Sequence, residues 1–337
     1  MRGLGNSFRL LAILLALACL SACAPAARPR PPLSPAAAKE AEVQREIAAQ
    51  TYYERLERLN AVGFALVAAN EPLCRQRGKT RPTIGLTADY FTARDSREWL
   101  AALCKFWGVG QGELVVTGVV PGGPAARAGV QRGDVIRSAG GKPFDSTGKR
   151  VNAPRALDGL SALGPATLEL VRAGRPVTVT IPAPVAICAS DFRVTLGDAV
   201  NAYADGASVR VTYGLMNLFI QDEDLAVVLG HELAHNILGH VWKDASGKTL
   251  QKVSPEAESE ADAVGLYFTA RAGFDIKNAP SVWRRLAAQH PESIRTGGAH
   301  PSSATRFVDL EAVRDEILMR QAAGLALIPR PRVAPGQ

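Results

Sequence analysis

The chain has 337 residues, of which 47% are hydrophobic and 21% charged, with a formal net charge of +7. That length accommodates two modules with their own cores. A surplus this small, with no Arg/Lys run interleaved with aromatic residues, argues against nucleic acid as a partner. Arg2 and Arg9 flank the start of an apolar run at residues 10–20 that is too short for a stable membrane span. Residues 1–22 are therefore expected to be a secretory signal peptide. Their removal would lower the net charge to +5, because only Arg2 and Arg9 leave and no acid does.

The run ends Leu20-Ser21-Ala22-Cys23, which resembles the bacterial lipobox. The resemblance implies cleavage before Cys23, acylation of its thiol and new amine, and the membrane as a partner through that lipid anchor. Ala24 replaces the aspartate associated with inner-membrane retention, which points to a periplasm-facing lipoprotein of the outer membrane. Residues 23–36 are rich in Pro, Ala and Arg and read as an extended tether. Of the five cysteines, Cys19 leaves with the signal and Cys23 is acylated. Cys74, Cys104 and Cys188 remain, and in an oxidising compartment two of them can pair. Spacing does not say which two.

Val43, Ile47, Tyr52, Leu56, Leu59, Val62, Phe64, Leu66 and Val67 fit a long amphipathic helix over residues 37–73. Residues 114–120 read as a strand, 121–130 as a turn with a short helix, and 132–136 as a lead into the next strand. Ala139-Gly140-Gly141-Lys142 is a hairpin signal. Residues 168–172 and 176–181 alternate as paired strands. The run Val-Pro-Gly-Gly-Pro-Ala-Ala-Arg-Ala-Gly-Val-Gln-Arg-Gly-Asp-Val-Ile at 120–136 carries a specific resemblance. The series over 82–183 resembles the PDZ domain of bacterial HtrA-type and tail-processing proteases. That resemblance implies a module that binds a polypeptide as an added strand and catches its carboxylate on backbone N–H groups, here at Ile84, Gly85 and Leu86. Residues 88–112 depart from the compact pattern. The helical stretch at 99–104 is expected to cover the groove.

Downstream, the apolar run 224–230 leads into His231-Glu232-Leu233-Ala234-His235, which reads H-E-x-x-H. On a helix, residues four apart differ by about 40° around the axis and about 6 Å along it. Both imidazoles then leave one face and can hold one metal ion, while Glu232 reaches a water without being a ligand. This is the layout of a zinc-dependent peptide hydrolase, which needs a third protein ligand. Residues 254–268 read as a helix with Pro255 in its first turn and its acids early. Spacing leaves Glu256, Glu258 and Glu260 open as that ligand. His240, five residues after His235, should point about 140° away and reads as a cap or surface histidine. His290 receives no role. Residues 275–289 and 306–322 read as further helices, and 323–337 as a loose tail.

Glu258-x-x-Ala261-Asp262 resembles the E-x-x-A-D signature of the gluzincins of peptidase family M48. These include the CAAX prenyl endopeptidases, the mitochondrial Oma-type proteases and the periplasmic Bep-type proteases. Residues 201–204 and 209–215 resemble the family's strand-and-turn lead-in to the zinc helix, and His300-Pro301 followed by Arg306 resembles its H-P-x-x-x-x-R motif. The resemblance implies one Zn2+ per chain on His231, His235 and Glu258, with Glu232 as general base. Asp262 would orient a ligand histidine, His300 would face the oxyanion or mask the metal, and Arg306 would stand beside the site.

The implied fold class is α+β. A mainly helical zincin-type metalloprotease domain with a small edge sheet spans 37–81 and 184–322, and the β-rich PDZ domain is inserted at 82–183. The expected activity is hydrolysis of peptide bonds in misfolded envelope polypeptides, lying extended along 201–204 or 209–213. A non-catalytic chaperone or adaptor that uses the PDZ groove is the rival, and the intact motifs argue against it. Nothing in the sequence specifies an oligomeric state.

Overall fold

The computed structural model describes residues 32–92, 97–144, 165–244, 246–251, 254–295 and 301–329. The signal and lipobox residues with Cys23, and His300, lie outside the described residues. The chain divides into two compact units, Met1–Gln44 and Arg45–Gln337. In the first, the exposed residues from 35 onward begin helix α1 (Pro35–Ala69). Ser34 caps it by accepting from the Ala37 N–H at 3.2 Å, and Pro35 suits the first turn. Among the described residues no helix is long and apolar enough to cross a membrane.

The expected helix over 37–73 is broken in two. α1 ends at Ala69 and a short α2 (Glu71–Arg75) follows. Pro72 is the cause: it lacks an N–H and its ring excludes the carbonyl four residues earlier. Then come β1 (Thr80–Thr83), β2 (Leu86–Tyr90), α3 (Arg97–Trp107), β3 (Leu114–Val119) and α4 (Pro124–Arg127). β4 (Val135–Ala139), β5 (Lys142–Pro143), β6 (Ala166–Arg172), β7 (Arg175–Ile181) and β8 (Val185–Cys188) complete the first part of the second unit.

β2-β3-β4-β6-β7 form one antiparallel sheet, with β5 hairpinned onto β4 through Ala139↔Lys142. Alternation sets its inner face: Leu168 and Leu170 of β6 join Ile84, Leu114, Val116, Ile136 and Ile181 in one apolar core. Arg172 clamps the buried Asp134 with two hydrogen bonds of 2.7 Å, closing this core below α4. The other face of β3 is covered by helices. Tyr53 of α1, Phe91 and Val115 pack with Leu100, Leu103, Phe106 and Trp107. The helix expected over the peptide groove is therefore α3, but it covers this back face instead, because its apolar side meets α1.

β1 and β8 pair antiparallel, Thr80 opposite Cys188 and Thr83 opposite Val185, so the strands entering and leaving the β-rich module lie side by side. Cys74 and Cys188, both fully buried, form a disulfide at the same neck across 114 residues. That settles the pairing, with Cys104 half-buried on α3. Loop-closure entropy gives a crosslink of this span about 3–5 kcal/mol of stability. A Cys74→Ala, Cys188→Ala double variant should lower the urea midpoint accordingly, with the slope the better check on the unfolded state. An unchanged midpoint would mean that β1 and β8 alone hold the neck.

The remaining elements are β9 (Asp191–Thr195), β10 (Ala202–Ala204), β11 (Ser208–Thr212), α5 (Tyr213–Leu218), α6 (Asp222–Leu238), β12 (Val241–Lys243), β13 (Thr249–Gln251), α7 (Pro255–Arg271), α8 (Ser281–Gln289) and α9 (Ser303–Ala322). Their sheet has the order β10-β11-β9, antiparallel then parallel. β10 is therefore an edge and β11 is central. In the strand-and-turn expected over 209–215 the strand ends at Thr212, whose hydroxyl accepts from the Leu215 N–H and starts α5. The helix expected from 275 begins only at Ser281, after Pro280. α6 and α7 fill the core of this module with Leu225, Leu229, Leu233 and Phe268, against Leu59 and Leu66 of α1 and Leu310 and Ile317 of α9.

Candidate metal centre

α6 carries both histidines. Its first turn holds Asp222, Glu223 and Asp224, which suit the positive end of a helix, and Gly239 (φ 76°) ends it in a left-handed cap. α7 starts at Ser254, whose hydroxyl accepts from the Ala257 N–H, with Pro255 in the first turn. The two helices touch backbone to backbone. A Cβ on Gly230 would lie 2.5 Å from the Gly265 carbonyl, and one on Gly265 would lie 2.6 Å from the His231 nitrogen. Thr269 ties the crossing by donating to the Ala226 carbonyl at 3.1 Å. This approach lets the acids one and two turns before Gly265 reach the histidines.

The result is a buried triad of His231, His235 and Glu258. The two Nε2 atoms are 3.1 Å apart, and Glu258 places Oε2 3.5 Å from His231 Nε2 and Oε1 3.4 Å from His235 Nε2. Four ligands at zinc bond lengths in a tetrahedron are about 3.3 Å apart. The donor set and its spacing therefore fit one zinc ion. Of the three acids left open by spacing, Glu256 is exposed, Glu260 is half-exposed and Glu258 is buried between the histidines.

Each histidine is oriented from behind. His231 Nδ1–H donates to Asp262 Oδ1 at 2.9 Å, which leaves Nε2 as the lone-pair donor. Arg306 grips Asp262 with Nε to Oδ2 and Nη2 to Oδ1, both 2.7 Å. Its guanidinium lies 3.4 Å over the Trp283 ring, which meets His231 edge-on at 5.8 Å. Burial lowers the affinity of His231 for a proton, but its hydrogen bonds to Asp262 and Glu258 win and lift it to about 9 in the metal-free protein. Burial likewise opposes the charge on Glu258, yet the two histidines hold its carboxyl well below the usual range.

His240 is not a surface residue: it is 7% exposed and its Nδ1 lies 3.1 Å from His235 Nδ1. The 140° estimate assumed a continuing helix, whereas the left-handed turn at Gly239 swings His240 back over His235. His240 Nε2 faces Glu260 Oε2 at 3.3 Å. A carboxylate can only accept, so His240 carries its proton on Nε2, and its Nδ1 accepts from His235 Nδ1–H. His235 Nε2 is then free for the ion. Burial holds both rings neutral by pushing His235 and His240 below their ordinary value. His240→Ala should weaken zinc binding about 10–100-fold, the usual effect of such supporting partners. Glu258→Ala should lose zinc and Glu256→Ala should keep it, all read by competition with a chromogenic chelator. Equal affinities in all three would disprove the ligand set.

Glu232 contributes no atom to the triad. It is half-buried, and the Ala204 N–H of edge strand β10 donates to its carboxylate. Burial, more than any neighbour, raises its carboxyl to about 7. Asn236 fixes the β10–β11 turn against α6: its Oδ1 accepts from Gly206 N–H at 2.7 Å, and its Nδ2 donates to Ser208 O and Ser190 Oγ. Nothing in the motif spacing marks Asn236 or Trp283, since both act across elements distant in sequence. Ile84, Gly85 and Leu86 lie elsewhere, at the start of β2, and belong to a separate cavity.

Residues 189–253 match the model of peptidase family M48, and residues 115–152 match a PDZ domain model. The mitochondrial metalloendopeptidase OMA1 of Arabidopsis thaliana is 31% identical over 135 residues, 32% of this chain and 28% of that protein. The Schizosaccharomyces pombe OMA1 is 28% identical over 137 residues, 32% of this chain and 41% of that protein. The chain thus spans less than half the length of either relative. Among solved structures, the HtrA-type protease AlgW with decapeptide is similar at 24% identity and a TM-score of 0.25, covering 32% of this chain and 30% of that one. The HtrA3 PDZ domain bound to a phage-derived ligand is similar at 23% identity and 0.25, covering 32% and 88%. The segment similar to peptidase family M48 thus includes α6 with its two histidines, and the segment similar to a PDZ domain precedes it.

Proposed function

We propose that the chain is a zinc metalloendopeptidase of the bacterial cell envelope that cleaves misfolded envelope polypeptides. The observation that carries this reading is the buried triad with Glu232 beside it, held to the edge strand through Ala204. A bound zinc ion supplies Lewis acidity to the attacking water and the scissile carbonyl. Glu232 takes the proton from that water on its carboxylate and hands it to the leaving nitrogen. Asp262 and His240 keep the histidine tautomers fixed throughout. An extended substrate lies along the outer edge of β10, an edge strand tied to Glu232 through the Ala204 N–H.

The PDZ module selects or gates substrates by binding polypeptide termini at Ile84, Gly85 and Leu86. The lipobox at Cys23 anchors the protein to the outer membrane, facing the periplasm. Zinc measurement on the purified protein, paired with casein cleavage, tests the enzymatic reading. One zinc per chain is expected, with cleavage lost on chelation and restored by zinc. Full zinc occupancy with peptide binding but no cleavage would replace the reading with that of a chaperone or adaptor.

A further inference from the structure

Among the described residues β2 is hydrogen-bonded on one side only, to β3. Along it lies a cavity of about 530 Å³ whose walls come from both modules. The loop at its head is rigid. Ile84 O accepts from Ala125 N–H at 2.9 Å and Gly85 O from Val120 N–H at 3.0 Å. Gly85 has φ 73°, and a Cβ there would lie 2.5 Å from the Val120 side chain. Along β2, Ala88 is buried in the PDZ core while Thr87 and Asp89 are exposed on the opposite face. A strand added beside β2 follows the same two-residue period. Every second side chain of it would therefore point away from the PDZ core, towards Tyr52 and Asn60 of α1 and Arg193 of β9, which line the same cavity.

The charge of that second wall is unbalanced. Arg81 and Arg193 both lean on Asp191, Arg81 in close contact and Arg193 at 3.8 Å. One carboxylate thus serves two guanidiniums, and the Arg193 side chain remains 57% exposed. Arg210, also in the wall, is held by Asp205 at 3.2 Å. In that wall three arginines lean on two acids, Asp191 and Asp205, with Asp89 on the β2 side.

We infer that this cavity is one peptide site built by both modules, for a polypeptide C-terminus with acidic side chains near its end. The carboxylate sits at Ile84, Gly85 and Leu86, the strand adds to β2, and Arg193 of the zinc module reads the outward side chains. The inference rests on the peptide-binding role proposed for the PDZ module and adds the wall that chooses the ligand. β9 pairs with β11, which pairs with β10, so a ligand here lies two strands from the proposed substrate edge.

The test uses the full chain and fluorescence anisotropy with two labelled decapeptides. Both have a free carboxyl end and differ only in Glu or Lys at the first and third positions before the last residue. Wild type should prefer the Glu peptide by about two- to fivefold, the scale of an exposed charge pair. Arg193→Glu should reverse that preference with zinc content unchanged, a swap that unfolding cannot produce. Amidating the carboxyl end should weaken both peptides. If Arg193→Glu keeps the wild-type preference while free-carboxyl peptides still bind, the composite site is wrong and the PDZ reading stands. If wild type binds neither peptide, the PDZ reading falls and the inference with it.

Discussion

Glu232→Gln is expected to keep wild-type zinc content and to lose casein cleavage by roughly two to four orders of magnitude, the contribution of a positioned acid–base group. The reason is the division of labour on α6. His231 and His235 aim Nε2 at one point together with Glu258, whereas Glu232 is tied to the Ala204 N–H outside that triad. Glutamine has the same shape and still offers an oxygen to Ala204, so β10 stays in place. What it lacks is a site that can take a proton from water and return it to nitrogen. Burial holds the Glu232 carboxyl near 7, so removing its charge should leave thermal stability equal or slightly higher. The checks are kcat on a quenched peptide and zinc by atomic absorption. Near-wild-type turnover would sink the assignment of Glu232, and loss of zinc would make it a ligand.

The parts of this site that are legible in the sequence are those set by one helix. His231 and His235 lie four apart, and helical geometry alone puts them on one face. Glu258 is different. Spacing leaves three acids open, and the choice depends on how α7 is rotated against α6. That rotation is fixed by the Gly230–Gly265 contact, a tertiary fact. Family resemblance to the gluzincins supplied what spacing could not. The place of His240 does have a sequence signal: a glycine directly after the apolar stretch marks a left-handed helix end, and the chain reverses there. β12 and β13 have three residues each, too few to show alternation. The disulfide became assignable only when β1 and β8 paired across the inserted module and brought Cys74 and Cys188 together.

The second large effect is expected in the pair behind His231. Asp262 and Arg306 are 5% and 8% exposed and share two hydrogen bonds of 2.7 Å. Burial alone would raise the Asp262 carboxyl, but Arg306 and His231 hold it low, and Asp262 in turn raises Arg306 against its own burial. Asp262→Leu strands a guanidinium that cannot shed its proton, with Glu258 Oε2 at 3.7 Å as the nearest remaining acid. That variant should lose about 3–5 kcal/mol, as when one partner of a buried pair is removed. Arg306→Met should cost less, because Asp262 keeps His231 and its carboxyl can accept a proton. The double variant replaces both charges by apolar groups beside Trp283 and should recover part of the loss. Urea unfolding of metal-free protein gives the comparison without a contribution from zinc binding. If the double variant loses the sum of the two single losses, the pair is not a coupled buried unit. If Arg306→Met is the worse single change, the argument from unsheddable charge is wrong.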